Sequence, residues 1–277
     1  IKPVDVLNNW MRKLETLKVQ FHFNKKMTDF DSSGVYFGEE YLVFDKVIFS
    51  LGGASWKKTG SDGSWFSLFQ SKNIEVVPFK PMNVGIEIDW NDEMKKHQGQ
   101  PIKNVELSAG GKSVKGELRI TKYGLEGAPV YALTPEIEAS GCLSINLKPG
   151  LVREQWLSKL SGPKMSKNLS DRLKFSKPVI QLIRSYIDKE TYTNKEKLAE
   201  SLIKFNIETT GLRPIDEAIS TRGGVSFSAL NPDLSIKTQP NFYCVGEMVD
   251  WHAPTGGYLL QACFSMGNFV AQKMNKL

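Results

Sequence analysis

Apolar and polar positions follow two different periods along the first part of this chain. From Val4 to Leu17 the apolar residues recur every three or four positions, which predicts an amphipathic helix. Val19–Phe23 alternates apolar and polar residues, which predicts a strand. Further short strand-like pieces separated by polar turns predict a small antiparallel meander, with strands at 27–30, 34–37 and 41–44.

A second region begins with an almost continuous apolar run at 45–51. Such a run is typical of a central parallel strand that is buried on both faces. The glycine-bearing segment at 59–64 then leads into a predicted helix that ends near Ser71, with Ser61 or Asp62 as its N-cap.

The pattern changes near residue 79, and this change predicts an inserted domain. Short strands separated by glycine and polar clusters make 79–149 rich in β-structure, with strands at 84–88, 105–107, 116–121, 130–133 and 142–147. Residues 150–206 are helical and charged, and the chain returns to strand, loop and helix near Gly224. We therefore predict a mixed domain formed by 1–78 and 223–277, interrupted by an inserted domain at 79–222.

Composition excludes several classes of protein. The chain has 277 residues, of which 40% are hydrophobic and 24% charged, as in one large or two ordinary globular domains. Its net charge of +6 comes from scattered lysines, typical of a solvated surface, so we expect no nucleic-acid partner. No apolar run is long enough to span a membrane, and the cysteines Cys142, Cys244 and Cys263 lie far apart, which favours a cytoplasmic protein.

The segment from Gly246 to Tyr258 carries the strongest functional signal. A short apolar strand ends there in Gly246 and the carboxylates Glu247 and Asp250, and a helix then begins after Thr255, Gly256 and Gly257. Backbone amides and the positive end of a helix dipole would face a ligand at such a position, so the pattern predicts a cofactor site. An ordinary buried turn between a strand and a helix is the alternative.

Other candidate residues carry weaker signals. The pairs Gly52-Gly53 and Gly223-Gly224 allow the backbone to approach a ligand closely, but a tight turn or a domain crossover would look the same. His252 lies inside the strongest segment and is the candidate catalytic residue, although the sequence favours a positioning role because it identifies no partner base. We expect no metal site, because no metal-ligand spacing is present.

Four blocks of residues resemble one known family. They are Leu51–Trp56 with Thr59–Gly63, Gly116-Glu117 with Thr121–Gly127, Ile219–Val225, and Gly246–Trp251 with Thr255–Tyr258. In this order they resemble the BaiN-like, aminoacetone-oxidase-like NAD(P)/FAD-dependent oxidoreductases, and in particular a bacterial branch of that family. The resemblance implies an α/β, glutathione-reductase-like, Rossmann-like FAD-binding domain interrupted by the inserted domain.

One part of the family pattern has no counterpart in this sequence. Family members begin with a strand and a GxGxxG loop that binds the FAD pyrophosphate, and no such loop precedes a helix here. The resemblance therefore predicts an incomplete FAD-binding domain that lacks its N-terminal βαβ unit, as in an N-terminally truncated protein. A shortened protein, a split gene and a misplaced start are all compatible with this pattern.

The resemblance also implies roles for the candidate residues. Gly52 and Gly53 would lie near the adenosine and phosphate side of FAD, and Glu247 and Asp250 near its ribityl and pyrophosphate side. The amides of 255–258 would approach the isoalloxazine ring, and Gly223 and Gly224 would also contact the cofactor. The inserted domain would cover the reactive face of the flavin and form the substrate pocket.

The expected function is therefore that of an FAD-dependent oxidoreductase. It would transfer a hydride between a small organic substrate and flavin, with NAD(P)H or O₂ as the second partner. The alternative is a truncated or split flavoprotein fragment without independent activity. A third hypothesis, a flavoprotein that acts on RNA, rests only on the net charge of +6.

Overall fold

The computed structural model describes residues 2–275, and the chain divides into two compact units, Ile1–Val47 and Ile48–Leu277. The first unit contains helix α1 (Pro3–Thr16) and the strands β1 (Asp29–Phe30), β2 (Gly34–Phe37) and β3 (Glu40–Val43). The three strands form an antiparallel sheet in the order β1-β2-β3, which confirms the predicted meander. Helix α1 is present as predicted, but none of its described residues is buried.

The predicted strand at Val19–Phe23 is wrong. This segment has no regular secondary structure, and the rings of Phe21 and Phe23 stack on each other with centroids 6.1 Å apart. Phe23 remains 73% exposed. Alternation favours a strand only where a neighbouring strand supplies hydrogen bonds, and no strand of the described chain pairs with this segment.

The second unit contains the remaining elements, and its first strand begins one residue before the unit boundary. In chain order they are β4 (Val47–Phe49), α2 (Phe66–Ser71), β5 (Val76–Met82), β6 (Ile86–Glu87), α3 (Asp92–Lys95), β7 (Pro101–Ala109), β8 (Lys112–Ile120), β9 (Gly124–Glu126), α4 (Ala128–Ala132), α5 (Thr134–Ser140), β10 (Cys142–Asn146), α6 (Arg153–Leu160), α7 (Met165–Lys167), α8 (Lys177–Tyr186), α9 (Lys189–Thr193), α10 (Lys195–Ile203), β11 (Phe205–Glu208), β12 (Gly211–Leu212), β13 (Ser220–Val225), β14 (Ser235–Ile236), β15 (Gln239–Cys244) and α11 (Tyr258–Met274). One π-helical turn, Asn168–Arg172, lies between α7 and α8.

Seven short strands form a sheet that closes on itself. Its order is β11-β10-β7-β8-β9-β6-β12, so the consecutive strands β11 and β12 lie at opposite edges. Between them, the N–H of Thr209 donates to the carbonyl of Gly141 at 2.9 Å, and the N–H of Thr210 donates to the carbonyl of Glu87 at 2.9 Å. One stretch of chain thus continues the hydrogen bonding at both edges, and the curled sheet is called the barrel below.

One large hydrophobic core of the second unit lies in and around this barrel. It contains the inward-facing residues of the sheet together with residues of helices α6, α8 and α10. Trp90 and Trp156 are among the largest fully buried side chains. The predicted strand at 130–133 is wrong: Val130 belongs to helix α4, which begins with Pro129 in its first turn after Gly127. A short apolar run fits a buried helix as well as a strand, and the proline decides in favour of the helix.

Two strands connect the barrel to the rest of the unit. β5 and β13 pair in antiparallel fashion, with a register shift between Arg222 and Gly224. They cross the predicted domain limits near residues 78 and 222, and the predicted division into 1–78, 79–222 and 223–277 stays a prediction. The structure has mixed α and β elements, as expected for the α/β class. None of the described helices is long and apolar enough to cross a membrane.

The strand predicted at 45–51 and the helix after it also need correction. β4 lies at the edge of a three-stranded sheet of order β14-β15-β4, and its Ile48 is 44% exposed, so it is not a central strand buried on both faces. Only Phe49 points into the core, against Phe69 and Phe242. The following helix α2 begins at Phe66, so neither Ser61 nor Asp62 is its N-cap; the Asp62 carboxylate instead accepts the N–H of Ser64 at 2.9 Å.

Candidate functional site

Three of the predicted glycine loops meet in the second unit. A Cβ atom placed on Gly53 would lie 2.0 Å from Oγ1 of Thr221 and 3.0 Å from the carboxyl carbon of Glu247. Such distances are far below van der Waals contact, so only glycine fits between the loops. The segments around residues 53, 221 and 247, predicted separately, therefore form one site.

Glu247 and Thr221 tie these loops together. Oε1 of Glu247 accepts the backbone N–H of Thr221 at 2.9 Å and lies 3.4 Å from its hydroxyl. The same hydroxyl accepts the N–H of Ala54 at 3.3 Å. A charge-assisted bond to a backbone amide is stronger than a neutral one, so Glu247 contributes to the arrangement of all three loops.

Asp250 holds the second glycine pair. Its Oδ1 accepts the N–H of Gly223 at 3.1 Å, and its own N–H donates to the carbonyl of Val225 at 2.8 Å. Gly223 and Gly224 have φ values of +93° and +120°, and a Cβ on Gly224 would lie 2.2 Å from the carbonyl oxygen of Met248. Gly224 is thus required by the approach of two backbones.

The other predicted residues lie at the start of helix α11. Gly246 has a φ of +80° and lies next to Cys263 of this helix, while Gly257 is its N-cap with a φ of +88° and no side-chain cap. The first backbone bond of the helix runs from the N–H of Gln261 to the carbonyl of Gly257 at 3.0 Å. The preceding amides of the first turn therefore lack intrahelical acceptors, which suits an acceptor group placed there. Thr255, Gly256 and Tyr258 flank this end, and Tyr258 is 62% exposed.

Several buried polar atoms beside these loops have no hydrogen-bond partner among residues 2–275. They are Oγ of Ser55, Oδ1 of Asn83 and Nε of Arg222. Asn83 otherwise is well held, since its Nδ2 donates to Oγ of Ser220 and to the carbonyl of Ala253, each at 2.8 Å. Buried polar atoms are nearly always satisfied, so unpaired ones next to glycine loops fit a polar ligand.

His252 lines a cavity of about 510 Å³ where helix α5 and strand β8 face the loop before α11. Glu136 and Lys112 line it too, and Lys112 donates to Oε1 of Glu136 while Oε2 of Glu136 is buried without a partner in the described chain. Apolar side chains form much of the remaining wall: Met82, Val114, Ala132, Leu133, Pro135 and Pro254. The sequence offered no partner for His252, and the structure places Glu136 in the same cavity.

The electrostatics of the cavity keep Glu136 ionised. Burial raises the pKa of this carboxyl, but the hydrogen bond from Lys112 and the nearby Lys112 and His252 charges outweigh it, so the pKa of Glu136 lies below its usual value. The cavity therefore combines an apolar wall with a carboxylate, its lysine partner and an imidazole.

Sequence reasoning missed Asn83, Glu136, Lys112 and the hydroxyl of Thr221. These residues come from segments of the barrel, of helix α5 and of strand β13, and no local pattern connects them. The positive φ of Asn83, +55°, is a conformation that asparagine tolerates better than most residues. An asparagine directly after a strand was therefore the one weak signal available.

The three cysteines provide a chemical test of the site. Cys142 is exposed, Cys244 is buried and Cys263 is half-buried. Burial raises the pKa of the Cys244 thiol, while burial and the charge of Glu247 raise the pKa of the Cys263 thiol. Because the thiolate is the reactive form, a disulfide reagent should label Cys142 first, Cys263 slowly and Cys244 only after unfolding.

Single Cys→Ser variants assign these labelling rates, and Glu247→Gln should speed the labelling of Cys263 by removing a neighbouring charge. Unchanged labelling of Cys263 in that variant, or fast native labelling of Cys244, would contradict the described site.

Comparison with known proteins gives one family and related enzymes. The family model described as HI0933-like protein Rossmann domain matches residues 2–273. The chain is 28% identical over 257 residues to a 3-dehydro-bile acid delta(4,6)-reductase of Clostridium scindens, covering 80% of this chain and 60% of that protein. It is 20% identical over 242 residues to a ribosomal RNA dihydrouridine synthase of Escherichia coli, covering 83% of this chain and 60% of that protein.

Proposed function

The chain belongs to the HI0933-like protein Rossmann domain family, and we propose on this premise that it acts as an FAD-dependent oxidoreductase. The observation that carries the proposal is the meeting of the loops at Gly53, Thr221 and Glu247, with unpaired buried polar atoms beside them. The chain spans 60% of the length of each of the two relatives, so the activity of a whole protein is part of the proposal.

The residues at the loops fit a flavin. The uncapped amides of the first turn of α11 would donate hydrogen bonds to an electron-rich edge of the ring. Ser55, Asn83 and Arg222 offer polar atoms without a partner among residues 2–275. Glu247 and Asp250 each accept a backbone N–H with one carboxylate oxygen, which holds the loops together. We propose that the other oxygen of each accepts a hydroxyl of the cofactor. Bound FAD would supply hydride chemistry, with NAD(P)H or O₂ as the second partner.

The cavity at His252 and the names of the relatives support one substrate class. Both names describe a carbon–carbon double bond near a carbonyl, in a 3-dehydro bile acid and in the pyrimidine ring of uridine. We propose that this chain's cavity takes an unsaturated carbonyl compound against its apolar wall. Saturation of such a bond adds a hydride and a proton, and His252, beside the carboxylate of Glu136, would donate the proton.

Flavin binding tests the cofactor. The protein purified with added FAD should retain it, and calorimetric titration should give one site. Ser55→Ala is expected to weaken FAD binding about 10-fold, because the cofactor would lose its hydrogen bond to the Ser55 hydroxyl. The same change should raise the unfolding free energy of the flavin-free protein by about 1 kcal/mol, because an unsatisfied buried hydroxyl is removed.

Ser67→Ala, at an exposed serine of α2, is the matched control and should alter neither property by a comparable amount. A protein that stays colourless and takes up no FAD would overturn the cofactor assignment. Weak binding without any turnover would favour the alternative of a fragment without independent activity.

A second candidate substrate is a uracil base in RNA, which the second relative favours. Parallel assays with a 3-dehydro-4,6-diene bile acid and with an oligouridylate separate the two substrates. Loss of the ultraviolet absorbance of one compound and not of the other identifies the class.

A further inference from the structure

A basic pocket lies apart from the candidate site, on the helical part of the second unit. It has a volume of about 430 Å³ and lies between the chain after α3, the π-helical turn and helix α8. Three cations line it, Lys167, Lys177 and Arg184, together with His97, Ser166 and Ser170. No carboxylate is among the residues that line it.

The cations of this pocket are not neutralised by the protein. Among residues 2–275, no ion-pair partner contacts Lys167, Lys177 or Arg184. The neighbouring Lys95 and Lys96 differ, since each pairs with a carboxylate three residues earlier. Asp171, the one acid of the segment 159–184, accepts the hydroxyl of Ser170 at 2.6 Å and does not line the pocket.

The fold presents these side chains together. Lys177, Gln181 and Arg184 follow one another at helical spacing along one face of α8, while Pro178, Val179, Leu182 and Ile183 of its other face are buried in the core. The π-helical turn is held from inside, because Nδ2 of Asn168 donates to the carbonyls of Leu160 at 2.8 Å and Gly162 at 3.1 Å. The pocket is thus built on a fixed frame.

The segment of chain that carries most of the pocket residues is strongly basic. Residues 159–184 contain seven lysines and arginines and one aspartate, so this segment alone carries +6, which equals the formal net charge of the whole chain. The rest of the chain is therefore formally neutral. Lys159 and Arg172 donate to backbone carbonyls. Lys164 and Lys174 are exposed, and in the sequence they lie within three residues of pocket residues.

We propose that this pocket binds the phosphate backbone of a nucleic-acid strand. Three cations without a carboxylate partner among the described residues line one pocket and would each contact a phosphate of the strand, and binding would release counterions from the strand. The hydroxyl of Ser166 and the imidazole of His97 beside them would add hydrogen bonds to phosphate oxygens. The proposal revises the expectation of no nucleic-acid partner, which treated these lysines as scattered, and it does not depend on the flavin.

The test uses the full chain and a fluorescein-labelled oligouridylate of about 20 nucleotides, with anisotropy measured at about 50 mM and 200 mM salt. Wild type should bind, and its affinity should fall steeply with salt. The triple variant Lys167→Ala/Lys177→Ala/Arg184→Ala should lose at least about 10-fold in affinity at low salt. The slope of log affinity against log salt should fall by about 2, from three lost phosphate contacts on a single strand.

The matched control removes the same charge at exposed lysines that do not line the pocket, with Lys58→Ala/Lys115→Ala/Lys122→Ala. It should lose less than about 2-fold, because these lysines make no close phosphate contact. Equal losses of affinity in both triple variants would show that only net charge matters and would overturn the proposed binding site. Absence of wild-type binding at low salt would also overturn it. Circular dichroism checks that both variants fold, since all six side chains are exposed.

Two competitor arms identify the ligand. The first arm adds uridine monophosphate or inorganic phosphate at an equal concentration of phosphate groups. If either displaces the oligonucleotide, the ligand is a small anion and the proposal of a nucleic-acid strand is wrong. Tighter binding to phosphatidylserine vesicles than to the oligonucleotide, lost in the pocket variant, would also overturn it. An oligothymidylate that binds as well as the oligouridylate supports the proposal, because backbone contacts do not distinguish bases.

Discussion

Replacement of Gly224 by alanine is expected to lower the free energy of unfolding by about 3–5 kcal/mol, which places it among the most damaging single changes available to this chain. Gly224 has a φ of +120°, which an L-residue adopts only with strain. A Cβ atom would lie 2.2 Å from the carbonyl oxygen of Met248 and 2.8 Å from its carbonyl carbon. Both obstacles are backbone atoms, so no side-chain rotation relieves the collision.

The surroundings of Gly224 leave no simple way for the backbone to move. Strand β13 pairs with β5 at Gly224 and Val77, and Val225 forms a parallel bridge to Val249 on its other side. A shift of β13 would break hydrogen bonds on one side or the other, and it would displace the Gly223 amide that Asp250 accepts. We therefore expect FAD binding to be lost together with stability.

Gly111→Ala is the matched control for this prediction. Gly111 also has a positive φ, +79°, in the turn between β7 and β8, but no atom lies within 4 Å of the position of a Cβ. It should lose only about 1 kcal/mol, from backbone strain alone. Urea unfolding followed by circular dichroism measures both variants, and equal losses would show that the collision with Met248 is not real.

The sequence predicted local features of this fold better than the partners of its elements. Helix α1, the meander and the helical region after residue 150 follow from apolar spacing, which reports which face of an element is apolar. The same spacing failed for Val19–Phe23 and for 45–51, because a strand also needs a neighbour. Strand β4 lies at the edge of its sheet, and Val19–Phe23 pairs with none of the described strands.

The candidate site shows the same limit. The glycines at 52–53, 223–224 and 246 could be found because close backbone approach and positive φ demand glycine. No sequence pattern predicted the contact between Thr221 and Glu247, because the two residues lie 26 positions apart in different segments of the chain. Nothing in the sequence assigned Glu136 to the site, because a carboxylate in the first turn of a helix is explained by its favourable interaction with the helix dipole.

His252→Ala is expected to reduce turnover by about 100-fold, the lower end of what a positioned proton donor contributes. The assay follows NADPH oxidation with a 3-dehydro-4,6-diene bile acid as the test acceptor. FAD affinity should be unchanged, since the side chain of His252 is exposed and lines the cavity, away from the contact of Gly53, Thr221 and Glu247. The matched control is His22→Ala, at an exposed histidine of the other unit, which should keep full turnover.

In the proposed function Glu136 would act through His252 as a positioning residue, so its substitution should have a smaller effect that depends on His252. Glu136→Gln keeps the shape of the side chain but removes the charge, and we expect about a 10-fold loss in turnover. Because the pKa of Glu136 lies below its usual value, this carboxylate is ionised throughout the neutral range, and the loss should be the same across that range. Glu154→Gln, at an exposed glutamate of α6, is the control for charge alone.

The double variant separates this mechanism from general damage to the cavity. If Glu136 works only through the imidazole, His252→Ala/Glu136→Gln should be no slower than His252→Ala, since the second change then has nothing left to influence. Losses that multiply to about 1,000-fold would mean independent roles and would contradict the proposed pair. An unchanged KM with a lowered kcat in Glu136→Gln would further assign the residue to the proton step, because a group that only shaped the apolar wall would weaken substrate binding instead.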